Sequence, residues 1–384
     1  MMKKSSYLLI AIFFLILITP TLDSIFHLSP VKELSEKRAL ATKPPFSFTA
    51  KTIKHYPQNF DNFYNDNFGF RKTLISANSK MMDKVFNQSP YDRAFIGKEG
   101  WLYLDVNGEF LDIQGKKQYD QKFLKNSVEA LIANWKELKK NNIDYVLVIA
   151  PNKSTIYPEF LPDIIQSKFG NMRLDQFLLE LIKQSPNFPV IDLRAPIMAA
   201  KTREQNNIYY KSDTHWNSIG AHYGYLEIID FLSKKYHLNL KPKVRNDFVI
   251  KNKIKDGAIS GDIADMMNLT VSDDIEYDLI PKKPFNYSRV NVTKEEQKQF
   301  HKPTFFINKL SFSENKSLPV LFSYKDSFSD HLIFFLPEHF SKSYFVNESH
   351  CKIDLNIIKK YHPNILIQEV VERKIDEVLE SCLQ

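Results

Sequence analysis

Apolar positions along the chain follow three patterns, and each predicts a different element. The first is an unbroken run: residues 7–18 are apolar and residues 5–22 carry no charge. At 1.5 Å per residue, about 18 residues just span the hydrocarbon core of a bilayer. The second pattern repeats every three to four residues, the period of a helix with one buried face. It predicts helices over residues 74–86, 124–138, 172–183, 196–202, 218–236, 328–340 and 370–379. The third is the short apolar run of a strand buried on both faces. It predicts strands at 143–150, 189–193, 208–210, 319–324, 343–346 and 364–368, with two more around the turn within 95–104.

Strands alternating with helices indicate a three-layer α/β domain built on a mostly parallel sheet. Residues 241–318 break the alternation and read as an insertion or flanking region. The chain thus divides into a signal anchor or transmembrane helix over 1–28, a partly helical lead-in segment over 29–90, and the α/β domain over 91–384. Lys3 and Lys4 precede the apolar run, so the positive-inside rule leaves everything after Asp23 outside. In a bacterium this is a single pass through the inner membrane, with the domain in the periplasm. The residues after Ile18 lack the small-x-small pattern of a cleavage site, which favours an uncleaved anchor over a removed signal peptide.

Composition narrows the chemistry. With 384 residues, 43% of them apolar, the chain can bury a large core, which excludes disorder. Only 10 residues are glycine, and no G-x-G-x-x-G, G-x-x-x-x-G-K-[ST] or G-x-S-x-G occurs, so nucleotide chemistry is not expected and no cofactor is implied. The net charge of +7 comes from lysines spread along the whole length. No basic stripe interleaved with aromatics marks a nucleic-acid partner, while an acidic polysaccharide stays open. Cys351 and Cys382 are the two cysteines, which in an exported domain form one disulfide or remain free; they cannot build a metal cluster.

Ligands of open α/β sheets bind at the carboxyl ends of the strands, so the loops there hold the candidates. In Asp213-Thr-His215 an extended backbone puts both functional side chains on one side, where the carboxylate can fix the imidazole tautomer. Alone, the pair reads more readily as a capping aspartate beside a structural histidine, and its setting between a strand and a helix favours the catalytic reading; a metal reading adds His222. Asp326-Ser327-Phe328 lies between a strand and a helix, which places Ser327 where a nucleophile or a helix cap would sit. Asn152 and Lys153, after the most apolar strand, could donate to an oxyanion or belong to a solvated loop. A serine at one strand end and an Asp-His pair at another are the parts of a nucleophilic triad.

These residues stand within a longer series: Glu36-Lys-Arg-Ala-Leu40, Asn67-Phe-Gly-Phe-Arg71, Gly97-Lys-Glu-Gly-Trp-Leu-Tyr103, Pro151-Asn-Lys153 with Tyr157-Pro158, Ser212-Asp-Thr-His-Trp216, Gly261-Asp262, Asp326-Ser-Phe-Ser329 and Val371-Glu-Arg373. In this series the chain resembles the AlgX/AlgJ type of alginate O-acetyltransferases, an SGNH-hydrolase-like family of exported polysaccharide acetyltransferases. The resemblance implies an SGNH-like domain with a permuted triad order. It makes Ser327 the nucleophile, His215 its base and Asp213 the orienting carboxylate. Tyr157 and Arg373 join Asn152 and Lys153 as candidates for substrate or oxyanion contacts. It also implies an acetyl-serine intermediate, a polysaccharide acceptor, and a membrane-bound O-acyltransferase-type partner that supplies acetyl. One departure stands out: the family's G-D-S-F has Lys325 at the glycine position. Lysine disfavours positive φ, so the turn or the oxyanion hole there is expected to differ. Two other readings remain, an acetylesterase of the same fold and an inactive carbohydrate-binding scaffold subunit of an export complex.

Overall fold

In a computed structural model the chain is described over residues 4–26, 28–29, 40–81, 93–166, 169–253, 261–267, 269, 274–291, 309–348, 350–351 and 353–384. The apolar run forms one helix, Lys4–Phe26, whose segment Tyr7–Ser24 is long and apolar enough to cross a membrane. Two helices follow, Ala50–Asn67 and Arg71–Met81. The helix expected over 74–86 therefore begins three residues early, and its end lies outside the described residues, as do Glu36 to Ala39. The turn within 95–104 joins strands β1 (Ala94–Ile96) and β2 (Leu102–Leu104).

The domain is organised by seven strands. Five of them pair in parallel in the spatial order β4 (Val190–Asp192), β3 (Asp144–Ala150), β11 (Ile365–Val371), β9 (Val320–Lys325) and β10 (Lys342–Asn347). Their side chains alternate between two cores, as the two-residue period of a strand requires. Val146, Val148 and Ala150 face one cluster with the helices Arg194–Arg203 and Ser218–Lys235. Tyr145, Leu147 and Ile149 face the other, with Gln121–Lys140, Arg173–Gln184 and Ile375–Cys382. This is the expected three-layer arrangement.

Between residues 241 and 318 the expected break is only partial. β5 (Phe248–Lys253) and β6 (Glu276–Pro281) form a separate antiparallel pair. β7 (Tyr287–Asn291) and β8 (Lys309–Ser313) instead extend the main sheet beyond β10 as antiparallel strands. Those two strands thus belong to the sheet rather than to an insertion.

Three short-range expectations are corrected. The helix expected over 328–340 splits into Ser329–Leu332 and a 3-10 turn, Leu336–His339, because Pro337 has no N–H to continue the ladder. The strand expected at 208–210 makes one isolated bridge, Tyr209 to Trp216, within a hairpin-like loop. The loop expected after β3 contains a helical turn, Lys153–Ile156.

Candidate active site

The strand β9 delivers Ser327 to the carboxyl rim of the sheet. Lys325 ends the strand in extended conformation, paired with Asn347, and is buried. Its Nζ donates to Asp330 Oδ1 at 2.7 Å and to the Asp326 carbonyl at 3.2 Å. The lysine thus replaces the family's glycine without a positive φ, and its amine ties the strand end to the next helical turn. Asp326 fixes the turn itself, accepting Phe328 N–H at 2.8 Å and Val371 N–H at 2.8 Å. Ser327 is exposed while both of its neighbours are buried.

Opposite stands the loop 208–217, with Asp213-Thr-His215 at its tip. His215 Nε2 lies 2.7 Å from Ser327 Oγ, and His215 Nδ1 lies 2.5 Å from Asp213 Oδ1. Asp213 also accepts the amides of His215 (2.9 Å, Oδ1) and Asp262 (2.8 Å, Oδ2). Burial raises the Asp213 pKa, but the His215 hydrogen bond and charge, aided by those amides, outweigh it and hold the carboxyl well below the usual range. The loop is pinned from below by Trp216, whose Nε1 donates to the Phe328 carbonyl at 2.9 Å. That bond joins the histidine loop directly to the residue after Ser327.

Lys153 and Tyr157 take other places than the oxyanion. Lys153 is buried and donates to the carbonyls of Tyr210 (3.2 Å), Lys211 (3.1 Å) and Asp213 (2.7 Å). Three donors to three carbonyls leave none for a ligand. Burial pushes its pKa down to about 8, although Asp213, Asp262 and Asp274 oppose the shift. The Tyr157 ring stacks on Trp101 and its hydroxyl accepts Ile208 N–H at 3.0 Å, a structural role.

Asn152 and Arg373 are brought together at the same rim. Asn152 Oδ1 accepts the Arg373 amide and Nη1, each at 3.3 Å, and the guanidinium carbon lies 5.3 Å over the Phe328 ring. Arg373 therefore links the loop after β3 to the Ser327 turn. Because Oδ1 is the end so engaged, Nδ2 is the asparagine's remaining donor.

The metal reading changes as well. His222 lies within the helix Ser218–Lys235, its Nε2 hydrogen-bonded to the Lys243 carbonyl at 2.8 Å among the rings of Phe248 and Phe335. Asp262 stands with Asp213 and His215 instead. Its oxygens accept Thr214 N–H and Oγ1–H, both at 2.7 Å. Asp262 has no role in the sequence reading beyond its place beside Gly261. Gly261 explains that pairing, since a Cβ there would come within 2.4 Å of the Ser212 backbone.

Two further acids escaped sequence reasoning. Glu369 is fully buried on β11, accepting the Asp326 amide (3.2 Å) and the Ser329 hydroxyl (2.7 Å). Burial and the nearby Asp326 charge push its pKa well above the usual range, opposed in part by Lys325. Glu372 accepts the Asn152 amide (2.9 Å) and the Thr155 hydroxyl (2.7 Å), and burial raises it to about 7. The visible signal was acids closing an otherwise apolar strand. Cys351 and Cys382, finally, are bonded to each other as a disulfide.

Comparison with known proteins follows the same lines. A family model described as "SGNH hydrolase-like domain, acetyltransferase AlgX" matches residues 94–305, a span that holds Asp213 and His215 and ends before Ser327. The "Probable alginate O-acetylase AlgJ" of Pseudomonas syringae pv. tomato is 28% identical over 220 residues, covering 57% of this chain and 51% of the relative. That of Pseudomonas putida is 27% identical over 181 residues, covering 47% and 44%. The chain thus spans about half the length of the curated relatives it matches. Among solved structures, Bacillus cereus PatB1 superposes with a TM-score of 0.52 at 16% identity, covering 72% of this chain and 94% of that one, a likeness of fold. The O-acetyltransferase domain of Pseudomonas putida AlgJ gives 0.46 at 19% identity, covering 74% and 92%.

Proposed function

Because the chain belongs to the family of SGNH hydrolase-like acetyltransferases of the AlgX type, we propose that it moves acetyl groups onto hydroxyls of an exported polysaccharide through an acetyl-serine at Ser327. The observation that carries this is the continuous relay from Asp213 through His215 to an exposed serine hydroxyl, with links of 2.5 and 2.7 Å. Ser327 Oγ attacks the acetyl carbonyl of the donor while His215 Nε2 takes its proton. Collapse of the tetrahedral intermediate expels the donor's leaving group, which takes that proton. A sugar hydroxyl then attacks the acetyl-serine, gives its proton to His215, and Ser327 leaves with it. Asp213 keeps the imidazole in the tautomer that accepts at Nε2 and balances the imidazolium. In this reading the Ser327 amide and Asn152 Nδ2 receive the oxyanion, with Arg373 setting the asparagine's orientation.

The triad order, Asp-x-His before Ser, is the permuted one. Residues 1–28 serve as a single-pass anchor in the inner membrane, 29–90 as the lead-in and 91–384 as the periplasmic domain, with a membrane-bound O-acyltransferase-type partner presenting acetyl. An alginate-like polymer is the acceptor class.

The test incubates the full chain in detergent with a chromogenic acetate ester, with and without oligosaccharide. Acetylated sugar is expected, at a rate abolished by Ser327→Ala and His215→Ala and lowered less by Asp213→Ala, since a base without its orienting partner retains some function. Free acetate alone, unchanged by sugar, would make the protein an esterase. No product, with polymer acetylation in the cell indifferent to Ser327→Ala, would leave it a scaffold subunit.

A further inference from the structure

The lead-in segment carries aromatic side chains for which the proposed chemistry has no use. On the helix Ala50–Asn67, Ile53, Tyr56, Phe60 and Tyr64 recur at helical spacing, and Phe46 and Phe48 stand beside its first turns. The rings form a ladder: Phe46 to Tyr56 at 5.0 Å, Tyr56 to Phe60 at 5.9 Å, Phe60 to Phe63 at 6.2 Å. Yet Phe48 is 90% exposed, Phe46 56% and Phe60 41%, and none of these residues enters the domain's buried clusters. A contiguous exposed aromatic face marks a surface that something covers.

The position of that face is fixed by the end of the apolar helix. Asp23, buried despite its charge, accepts Ser29 N–H with Oδ1 at 2.5 Å and Phe70 N–H with Oδ2 at 2.6 Å. Gly69 is required at the contact, because a Cβ there would stand 1.9 Å from the Pro20 carbonyl oxygen. One residue group upstream, Asp66 accepts Ala41 N–H at 2.8 Å and Asn67 donates to the Ala41 carbonyl at 2.9 Å. Asn67-Phe-Gly-Phe-Arg71 is therefore the joint that clamps the aromatic helix to residues 20–23. Asp23 is also the first charge after the apolar run, and so marks where that helix leaves hydrocarbon for water.

We propose that the aromatic face of residues 46–64 lies in the interfacial layer of the membrane that the amino-terminal helix crosses, contacting lipid headgroups and upper acyl chains. This rests on the anchor reading given above. The argument is continuity: the clamp holds the helix at the depth where aromatic rings are favoured, and its stripe has the single-sided apolar character of an interfacial helix. The polar side, with Lys54, Gln58, Asp61 and Asn62, then faces water.

The test reconstitutes the full chain in phosphatidylethanolamine and phosphatidylglycerol vesicles with acyl chains brominated near the headgroup, reading tryptophan emission added by single substitutions. Phe60→Trp is expected to add blue-shifted emission that the bromolipid quenches, while Asn62→Trp, on the opposite side, adds emission that it does not. Phe14→Trp, with bromine deeper in the chains, reports the anchor. Ester turnover equal to the parent chain certifies the fold of each variant. Quenching at Phe14→Trp without quenching at Phe60→Trp overturns the proposal while the anchor stands, as would be so if a protein partner covered the face. Equal quenching at Phe60→Trp and Asn62→Trp overturns the facing. Loss of quenching at both Phe14→Trp and Phe60→Trp overturns both readings.

Discussion

Lys325 stands where the family's nucleophile motif has glycine, and the geometry assigns it a structural role that can be measured. Its side chain is 6% exposed, so Lys325→Gly removes four buried methylenes, about 3 kcal/mol at roughly 0.8 kcal/mol each. Glycine's greater freedom in a strand adds about 0.5–1 kcal/mol. The partner Asp330 is 60% exposed, which limits the ion pair to about 1 kcal/mol or less. The sum is a loss of about 4 kcal/mol, with no gain in turnover, since the lysine adopts the strand-end conformation without strain. Lys325→Met keeps most of the stem while removing the charge, and should lose about 2 kcal/mol less than the glycine variant. Urea unfolding by circular dichroism gives the stabilities, and the chromogenic ester gives turnover. A glycine variant as stable as the parent, or faster, would show that the lysine is a defect of the motif and refute the reasoning.

Two further outcomes are expected. For Glu372 the folded pKa of about 7 lies above the ordinary value of 4.5, so its contribution to stability is fully present below about pH 4.5 and fades as pH rises through 7. Glu372→Gln should therefore gain on the parent by about 2–3 kcal/mol between pH 5 and 8, and a difference in urea stability that does not vary with pH would contradict it. Cys382→Ser opens a loop closed across 31 positions and should cost about 3.7 kcal/mol; reductant should lower the parent's melting temperature and leave the variant's unchanged.

Periodicity revealed most of the scaffold because burial imposes it: strands sandwiched between helix layers are mostly apolar, as in β3 from Tyr145 to Ala150 and in β11 apart from Gln368 and Glu369. Ser327 and His215 were legible because Ser327 follows a strand directly and His215 lies in an Asp-x-His loop just before a long helix, places where the polar residue types are informative. What stayed hidden depends on contacts distant in sequence. Nothing local says that Lys153 spends its donors on the carbonyls of residues 210, 211 and 213, or that Asp262 supports Asp213 across a 49-residue separation. β8 and the edge strand β7 were also missed, since Lys309–Ser313 and Tyr287–Asn291 carry mixed polarity without a continuous apolar run.

The bracing by Lys153 also bears on how a pH–rate curve should be read. A charged amine offers three protons and a neutral one two, so above about pH 8 one of the carbonyls at residues 210, 211 and 213 loses its donor. The loop bearing His215 then loosens. An alkaline decline in rate would thus record the melting of a tether, and Lys153→Met should abolish that decline together with much of the rate at neutral pH.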